Sequence, residues 1–273
     1  VTGEALSAAA DALRAAGIAE PRLDAELLLA EAIGCDRARL AASSTEEIPP
    51  AATRRFGEMV RRRLRREPVA YILGRRGFRR LELAVDPRVL IPRPETELLV
   101  ELALELRPAT LLDVGTGSGA IALAVADELP GCAVTATDTS AAALAVARAN
   151  AERLGLGARV ELLCTSVPAD GGFELALANL PYVGESEWGA LQPEVTEWEP
   201  REALLAGPRG LDVLREMIPA LGGVAAAIGL EVGAGQAEAV AEMLSAAGFD
   251  QVETRPDLAG IDRLVIGRRV EVG

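Results

Sequence analysis

The stretch TLLDVGTGSGAIALAVADELPGCAVTATD, residues 110–138, decides the fold. TLLDV (110–114) is an apolar run of strand length, and AIALAVADEL (120–129) has the apolar density of a buried helix. Between them GTGSG (115–119) is a glycine-rich handover, and AVTAT (133–137) is a second strand closed by Asp138. The alternation continues outward. A helix is predicted over 140–154, then strands RVELL (159–163) and FELALAN (173–179). A helix over about 209–221 precedes GGVAAAIGLEV (222–232), and QAEAVAEMLSAAG (236–248) is a further helix. Repeated strand–helix units imply a parallel sheet with helices on both faces. FDQVETRPDLAGIDRLVIGRR (249–269) reads as two strands joined by a loop, so the last strand is expected to enter antiparallel. The fold class is α/β, a Rossmann-like, mostly parallel sheet.

The N-terminal part follows another period. ALSAAADALRAAG (5–17), PRLDAELLLAEAIG (21–34) and PPAATRRFGEMVRRRLRRE (49–67) read as helices, the last with Phe56, Met59, Val60 and Leu64 on one side. From 68 to 94 the pattern alternates with Gly and Pro punctuation, as short strands or a hairpin would. The organisation expected is a helical domain at 1–67, a hairpin linker at 68–94 and a catalytic domain at 95–273.

Composition excludes several classes of function. No apolar run among the 273 residues reaches the roughly 18–20 needed to span a membrane, and the N-terminus lacks the basic lead of a signal peptide. Cys35, Cys132 and Cys164 are far apart and form no C-x-x-C, so neither a disulfide framework nor a thiolate metal site is expected. A reducing, cytoplasmic setting follows, with no membrane partner. Histidine is absent, which removes Ser-His-Asp and Cys-His catalysis. Lysine is absent too, all 28 basic residues being arginine, as a GC-rich genome would give. The net charge of −13 divides into +4 over residues 1–80 and −17 over 81–273. The arginines at 61–66 and 75–80 are either a solvated helix face or a docking surface for a polyanionic or acidic partner.

Two motifs carry chemistry. Asp113-Val-Gly115-Thr116-Gly117-Ser118-Gly119 sits where a strand hands over to a helix, so its backbone can approach a ligand closely. Asp138, about 20 residues on, ends the next strand, where an acid can bind a ribose hydroxyl pair. Asp113 beside the loop would repel a pyrophosphate and suits a cationic nucleoside such as S-adenosylmethionine. The second motif, Asn179-Leu180-Pro181-Tyr182, ends the fourth strand. An Asn side-chain carbonyl and a neighbouring backbone carbonyl can both accept from one NH2 group, with Tyr182 available to stack on a flat substrate. Methylation of a planar nitrogen needs no strong base, since its proton can leave after transfer.

These motifs resemble the class I, seven-strand methyltransferases that modify exocyclic or amide nitrogens. EPVAYILGRRGF (67–78), LIPRPETELLVE (90–101), EPREALLAG (199–207), GLDVLRE (210–216), GLEVGAGQ (229–236) and DLAGIDRLVIGRR (257–269) are similar to the peptide chain release factor N5-glutamine methyltransferase family over nearly the whole chain. The resemblance implies a seven-stranded sheet, a helical N-terminal domain, a connecting β-hairpin, and methylation of the glutamine in the Gly-Gly-Gln motif of class 1 release factors. By position, Gly115, Thr116, Gly117, Ser118, Gly119, Asp138, Val167 and Asn179 would bind S-adenosylmethionine. Asn179, Leu180, Pro181 and Tyr182 would hold the glutamine, with Asn179, Pro181 and Tyr182 as the catalytic set; Arg93, Glu95 and Glu97 would lie near the cofactor mouth. No metal, no direct nucleic-acid contact and a monomer are expected. Two departures stand out: Leu180 replaces the first proline of N-P-P-Y, and Thr165-Ser166-Val167 lacks the usual acid and bulky residue near the adenine.

The rival readings are a ribosomal-protein glutamine methyltransferase, an adenine or cytosine amino-methyltransferase, an NAD-dependent oxidoreductase using GTGSGA, and a non-catalytic module descended from the enzyme. Strong acidity after residue 80 opposes phosphate tracking. The oxidoreductase reading leaves residues 179–182 unexplained. The arginine-rich N-terminal part is read as docking the protein substrate, and the acidic stretch 185–202 as lining its entrance.

Overall fold

The computed structural model describes residues 1–42 and 45–269, and the chain divides into two units. The first comprises Val1–Arg75 together with Gln192–Trp198; the second comprises Arg76–Leu191 and Glu199–Gly273.

The first unit is helical: α1 (Thr2–Ala15), α2 (Pro21–Ile33), α3 (Arg37–Ala42), α4 (Pro50–Leu64) and α5 (Val69–Leu73). Prolines in the first turns of α2 and α4 start those helices, and Gly34 in the left-handed region ends α2. Leu6, Leu13, Leu28, Leu29, Phe56 and Met59 meet in one core. Helical spacing puts Leu64 on that apolar side, yet Leu64 is 38 % exposed and the buried side chain at this turn is Arg63. Arg63 bonds Asp24 at 2.7 Å and Glu194 at 2.6 Å, and Arg66 shares Glu194. Glu194 lies in α9 (Pro193–Thr196), within the segment that belongs to this unit. Arg62 pairs with Glu67, and Arg55 and Arg75 with Glu31. Much of the arginine run is therefore committed to internal ion pairs, while Arg54, Arg61 and Arg65 are exposed.

The second unit opens with a hairpin, β1 (Arg75–Phe78) and β2 (Leu81–Ala84). The hairpin is shorter than the alternation at 68–94 predicts: residues 69–73 are helical, and 85–93 form a loop leading to a 3-10 turn at Pro94–Thr96. Then follow α6 (Glu97–Leu106), β3 (Thr110–Val114), α7 (Ala120–Glu128), β4 (Ala133–Thr137), α8 (Ala141–Arg153), β5 (Val160–Leu163) and β6 (Phe173–Ala178). Beyond the segment of the first unit come α10 (Asp212–Val224), β7 (Ala225–Glu231), α11 (Ala237–Ala246), β8 (Gln251–Pro256) and β9 (Asp262–Arg268).

Seven strands form one sheet in the order β5-β4-β3-β6-β7-β9-β8. The five on the β5 side are mutually parallel, and β9 enters antiparallel between β7 and β8, as the terminal strand–loop–strand requires. Alternate residues of each strand feed opposite faces. Leu111, Leu175 and Leu177 pack with α6 and α7, while Leu112, Ala176 and Ala178 pack with α10 and α11. Covering both faces explains the unbroken apolar runs. Strand order reverses between β3 and β6, so their carboxyl ends diverge around a crevice, the usual place for a ligand in an open α/β sheet.

Arg63→Ala would strip buried Asp24 of its ion-pair partner and leave Glu194 to Arg66 alone, and is expected to destabilise the chain by about 3–5 kcal/mol in urea unfolding. Arg65→Ala, at an exposed position of the same run, should change stability by less than about 0.5 kcal/mol.

Candidate active site

A cleft of about 320 Å³ opens at the crevice between the ends of β3 and β6. Gly115, Thr116, Gly117 and Ser118 line it from β3, Asp138 from β4, and Asn179, Leu180 and Pro181 from β6. The sequence motifs thus meet around one space. Gly119, Val167 and Tyr182 lie outside its lining. A Cβ on Gly119 would stand 2.9 Å from Leu123 Cδ1, so this glycine lets α7 start close to its own next turn. Val167 packs into the core under α10 and α11, and its neighbours Thr165 and Ser166 face the cleft instead.

The glycine loop is held from below. The amides of Gly115 and Thr116 both donate to the Thr137 carbonyl at 2.9 Å. Buried Asn150 donates to the carbonyls of Ser118 and Ala84, tying the loop to α8 and the hairpin. Asp113 shares the face of Leu111 by strand alternation, which puts its carboxyl under the loop, fully buried, and not in the cleft. There it accepts from Thr116 Oγ1 at 2.6 Å and the Ala122 amide at 3.1 Å. Its part is an internal brace for the loop, in place of the electrostatic selection of ligand that sequence reasoning gave it. Burial pushes this carboxyl up to about 7, against those two hydrogen bonds. Asp138, by contrast, is on the cleft wall, where its two oxygens accept from the Gly117 and Ser140 amides at 2.9 and 2.8 Å. The carboxylate is thereby fixed in orientation.

The turn at 179–182 is held from four directions. Asn179 Nδ2 donates to Thr96 Oγ1 at 3.0 Å, and among the described residues no donor reaches its Oδ1. Gln236 Nε2 donates to the Tyr182 carbonyl at 2.8 Å, and the Tyr182 hydroxyl donates to Glu231 Oε1 at 3.3 Å. The next residue, Val183, pairs with Leu204 and Ala206 through backbone bonds. Leu180, the departure from N-P-P-Y, is buried with its Cδ2 3.1 Å from where a Gly115 Cβ would be. Its side chain occupies room that the glycine leaves free, which holds the turn against the loop by packing.

Sequence reasoning missed Thr96, Glu231 and Gln236, although each lies in a stretch quoted for its resemblance. Arg93 pairs with the buried carboxylate of Glu199, which also accepts from the Ile91 amide at 3.1 Å. Glu97 is engaged by Arg79, and neither Glu95 nor Glu97 lines the cleft. Of the acidic stretch at 185–202, Glu202 reaches the lining, Glu187 accepts from the Gly184 amide, and Glu194 and Glu199 are consumed by arginines. Among the described residues no cluster of acids and cysteines suited to a metal occurs, and no helix is long and apolar enough to cross a membrane.

Burial likewise raises Glu231 to about 7. Both Asp113 and Glu231 then have folded-state pKa values above their unfolded ones, so between roughly pH 4 and 7 the folded chain holds more protons than the unfolded chain. Stability should fall as the pH rises through that window, by up to about 1.4 kcal/mol per pH unit for each group. Melting temperatures across this range test it: Asp113→Asn and Glu231→Gln should each flatten the decline, and a flat wild-type profile would refute it.

The family model described as PrmC N-terminal domain matches residues 4–74, and that described as methyltransferase small domain matches 94–190. The chain is 44 % identical to the release factor glutamine methyltransferase of Cereibacter sphaeroides, over 97 % of both chains. It is 43 % identical to that of Geobacter sulfurreducens, over 92 % of this chain and 91 % of that one. Among solved structures, the hMettl16 catalytic domain in complex with a 3′UTR hairpin matches with a TM-score of 0.58 at 14 % identity, covering 70 % of this chain and 76 % of that one, a likeness of fold. The sheet is that of a class I methyltransferase, and the chain belongs to the release factor glutamine methyltransferase family.

Proposed function

We propose that this chain transfers a methyl group from S-adenosylmethionine to the side-chain amide nitrogen (N5) of the glutamine in the Gly-Gly-Gln motif of class 1 peptide chain release factors. One observation carries the reading. Asn179 is tethered through its NH2 to Thr96, which leaves its carbonyl oxygen for a donor at the cleft that the glycine loop also lines. An acceptor there, with the Leu180 carbonyl beside it, suits a primary amide, which offers two N–H groups from one nitrogen. The relatives' name supplies the protein that carries the amide.

The residues present fit the cofactor. Asp138 offers a pre-oriented carboxylate to a ribose, and Ile121, Val213 and Met217 give the cleft apolar wall for a base. Residues 115–119 contain no arginine or lysine, as suits a ligand without phosphate. S-adenosylmethionine would supply the methyl group from its sulfonium. The chain's own task is to hold the amide nitrogen still with its lone pair directed at that methyl. Two acceptors set tetrahedrally about the nitrogen would draw its lone pair out of the conjugation that makes an amide a poor nucleophile, and orientation provides the rest. The proton leaves after transfer, so the absence of histidine is no obstacle. The substrate's place in translation puts the activity in the bacterial cytoplasm, which suits three cysteines that are all free.

Label from S-adenosylmethionine should appear on unmodified release factor and not on its Gly-Gly-Gln Gln→Ala variant. Label on both, or on neither, would contradict the proposal. Asn179→Ala should reduce transfer by about 10²–10³-fold, the range for losing one positioned hydrogen-bonding group. Asp138→Ala should weaken cofactor binding by about 10–100-fold in calorimetry, the worth of a hydrogen bond to a charged group.

A further inference from the structure

Two stretches of the cleft lining lie outside the main sheet and its strand ends: Val89, Leu90 and Pro92 from the loop after β2, and Pro200 and Ala203 from a second segment. One side chain joins them. Glu199, the residue before Pro200, has its side chain 1 % exposed. Its Oε2 accepts from the Ile91 amide at 3.1 Å and its Oε1 from the Arg93 guanidinium. Ile91 and Arg93 flank Pro92, so the carboxylate grips the first stretch on both sides of a residue that lines the cleft. The second stretch is fixed at its far end as well. The Val183 amide donates to the Leu204 carbonyl at 2.8 Å, and the Ala206 amide to the Val183 carbonyl at 3.0 Å. Residues 200–203 are thus strung between Glu199 and the residue that follows the turn at 179–182. The same pair reaches the amide site. Arg93 caps the 3-10 turn Pro94–Thr96, its carbonyl accepting from the Thr96 amide at 3.2 Å, and Thr96 Oγ1 accepts from Asn179 Nδ2 at 3.0 Å. The path from Glu199 to Asn179 runs through hydrogen bonds and the four residues of one tight turn.

We propose that Glu199 and Arg93 are positioning residues, one ion pair that holds two loop walls of the cleft together and sets the turn carrying Thr96 against Asn179. Its effect on methyl transfer rests on the amide-holding role given to Asn179 above; its effect on the cleft walls does not. A buried ion pair adds little net stability over an apolar pair of the same volume, because desolvation offsets the attraction. What it supplies is direction, since a charge-assisted hydrogen bond is short and its geometry specific. Two loops without strand partners need that direction if the cleft is to have one shape before a ligand arrives.

Glu199→Gln keeps the length and an acceptor for Ile91, but sets an NH2 against the Arg93 guanidinium, donor against donor. The double variant Arg93→Met/Glu199→Gln removes the pair without leaving a buried charge, so it should melt close to the wild type. In both, transfer to release factor should fall by about 10²-fold, as for a misplaced reacting group. S-adenosylmethionine should bind them about 10-fold more weakly in calorimetry, the cost of ordering a loosened wall on binding. Arg93→Lys, which keeps a charge for Glu199, should recover most of both. A double variant that binds the cofactor as tightly as the wild type would overturn the proposal, and so would one that transfers at the wild-type rate. A double variant that melts far below the wild type would make the pair a support of the fold and overturn it too. If the wild-type chain itself leaves release factor unmethylated, the glutamine reading falls, and cofactor affinity still decides the clamp.

Discussion

In the proposed reaction an amide can be held for methylation only by acceptors, and Asn179, with its NH2 committed to Thr96, has Oδ1 left to serve as one at the cleft. A side-chain amide is nearly symmetric in shape, so packing alone cannot choose its direction. The choice falls to the hydrogen bond from Asn179 Nδ2 to Thr96. That requirement draws in residues distant in sequence: Thr96 from the turn before α6, Glu231 from the end of β7, Gln236 from the start of α11. Each sits at the carboxyl edge of the sheet because the strand order reverses between β3 and β6. The topology therefore does more than open a crevice. It gathers the end of the neighbouring strand β7, the turn before α6 and the start of α11 around one four-residue turn.

The second unit also buries charge beside the cleft. Two carboxyls, Asp113 under the glycine loop and Glu231 behind the amide turn, are buried beside the cleft and held near neutrality by desolvation. Such groups cost stability in their charged form, and polar groups so placed are often found at functional sites. In the first unit charge has a different use. Arg63 and Arg66 converge on Glu194, and Arg63 also takes Asp24, so a run that looks like a basic surface is in large part an internal ionic core. Arg54, Arg61 and Arg65 of the same run stay exposed.

Much of this was legible in the sequence, and the failures have physical causes. The strands at 110–114 and 133–137 coincide with β3 and β4, because apolar runs bounded by glycine and acid admit few other readings. The antiparallel last strand followed from the lack of a crossover helix. The hairpin was read as too long because short apolar stretches such as Val69–Leu73 carry no period that separates a helical turn from a strand. Leu64 and Arg63 exchanged places because burial at that turn is decided by carboxylates 39 and 131 residues away, invisible to local periodicity. Asp113 was seen as a charge and not as a brace for the same reason: strand alternation gives its face, but only the tertiary packing shows what covers it. Thr96 and Glu231 carry no local signal, and in sequence they are ordinary members of a helix start and a strand end.

The central claim is that one particular amide nitrogen receives the methyl group. Tandem mass spectrometry of release factor, after incubation with this chain and S-adenosylmethionine, tests it most directly. The account predicts a single added methyl on the side chain of the Gly-Gly-Gln glutamine. A methyl on any other residue, or an unmodified glutamine while the chain methylates another substrate, would contradict it.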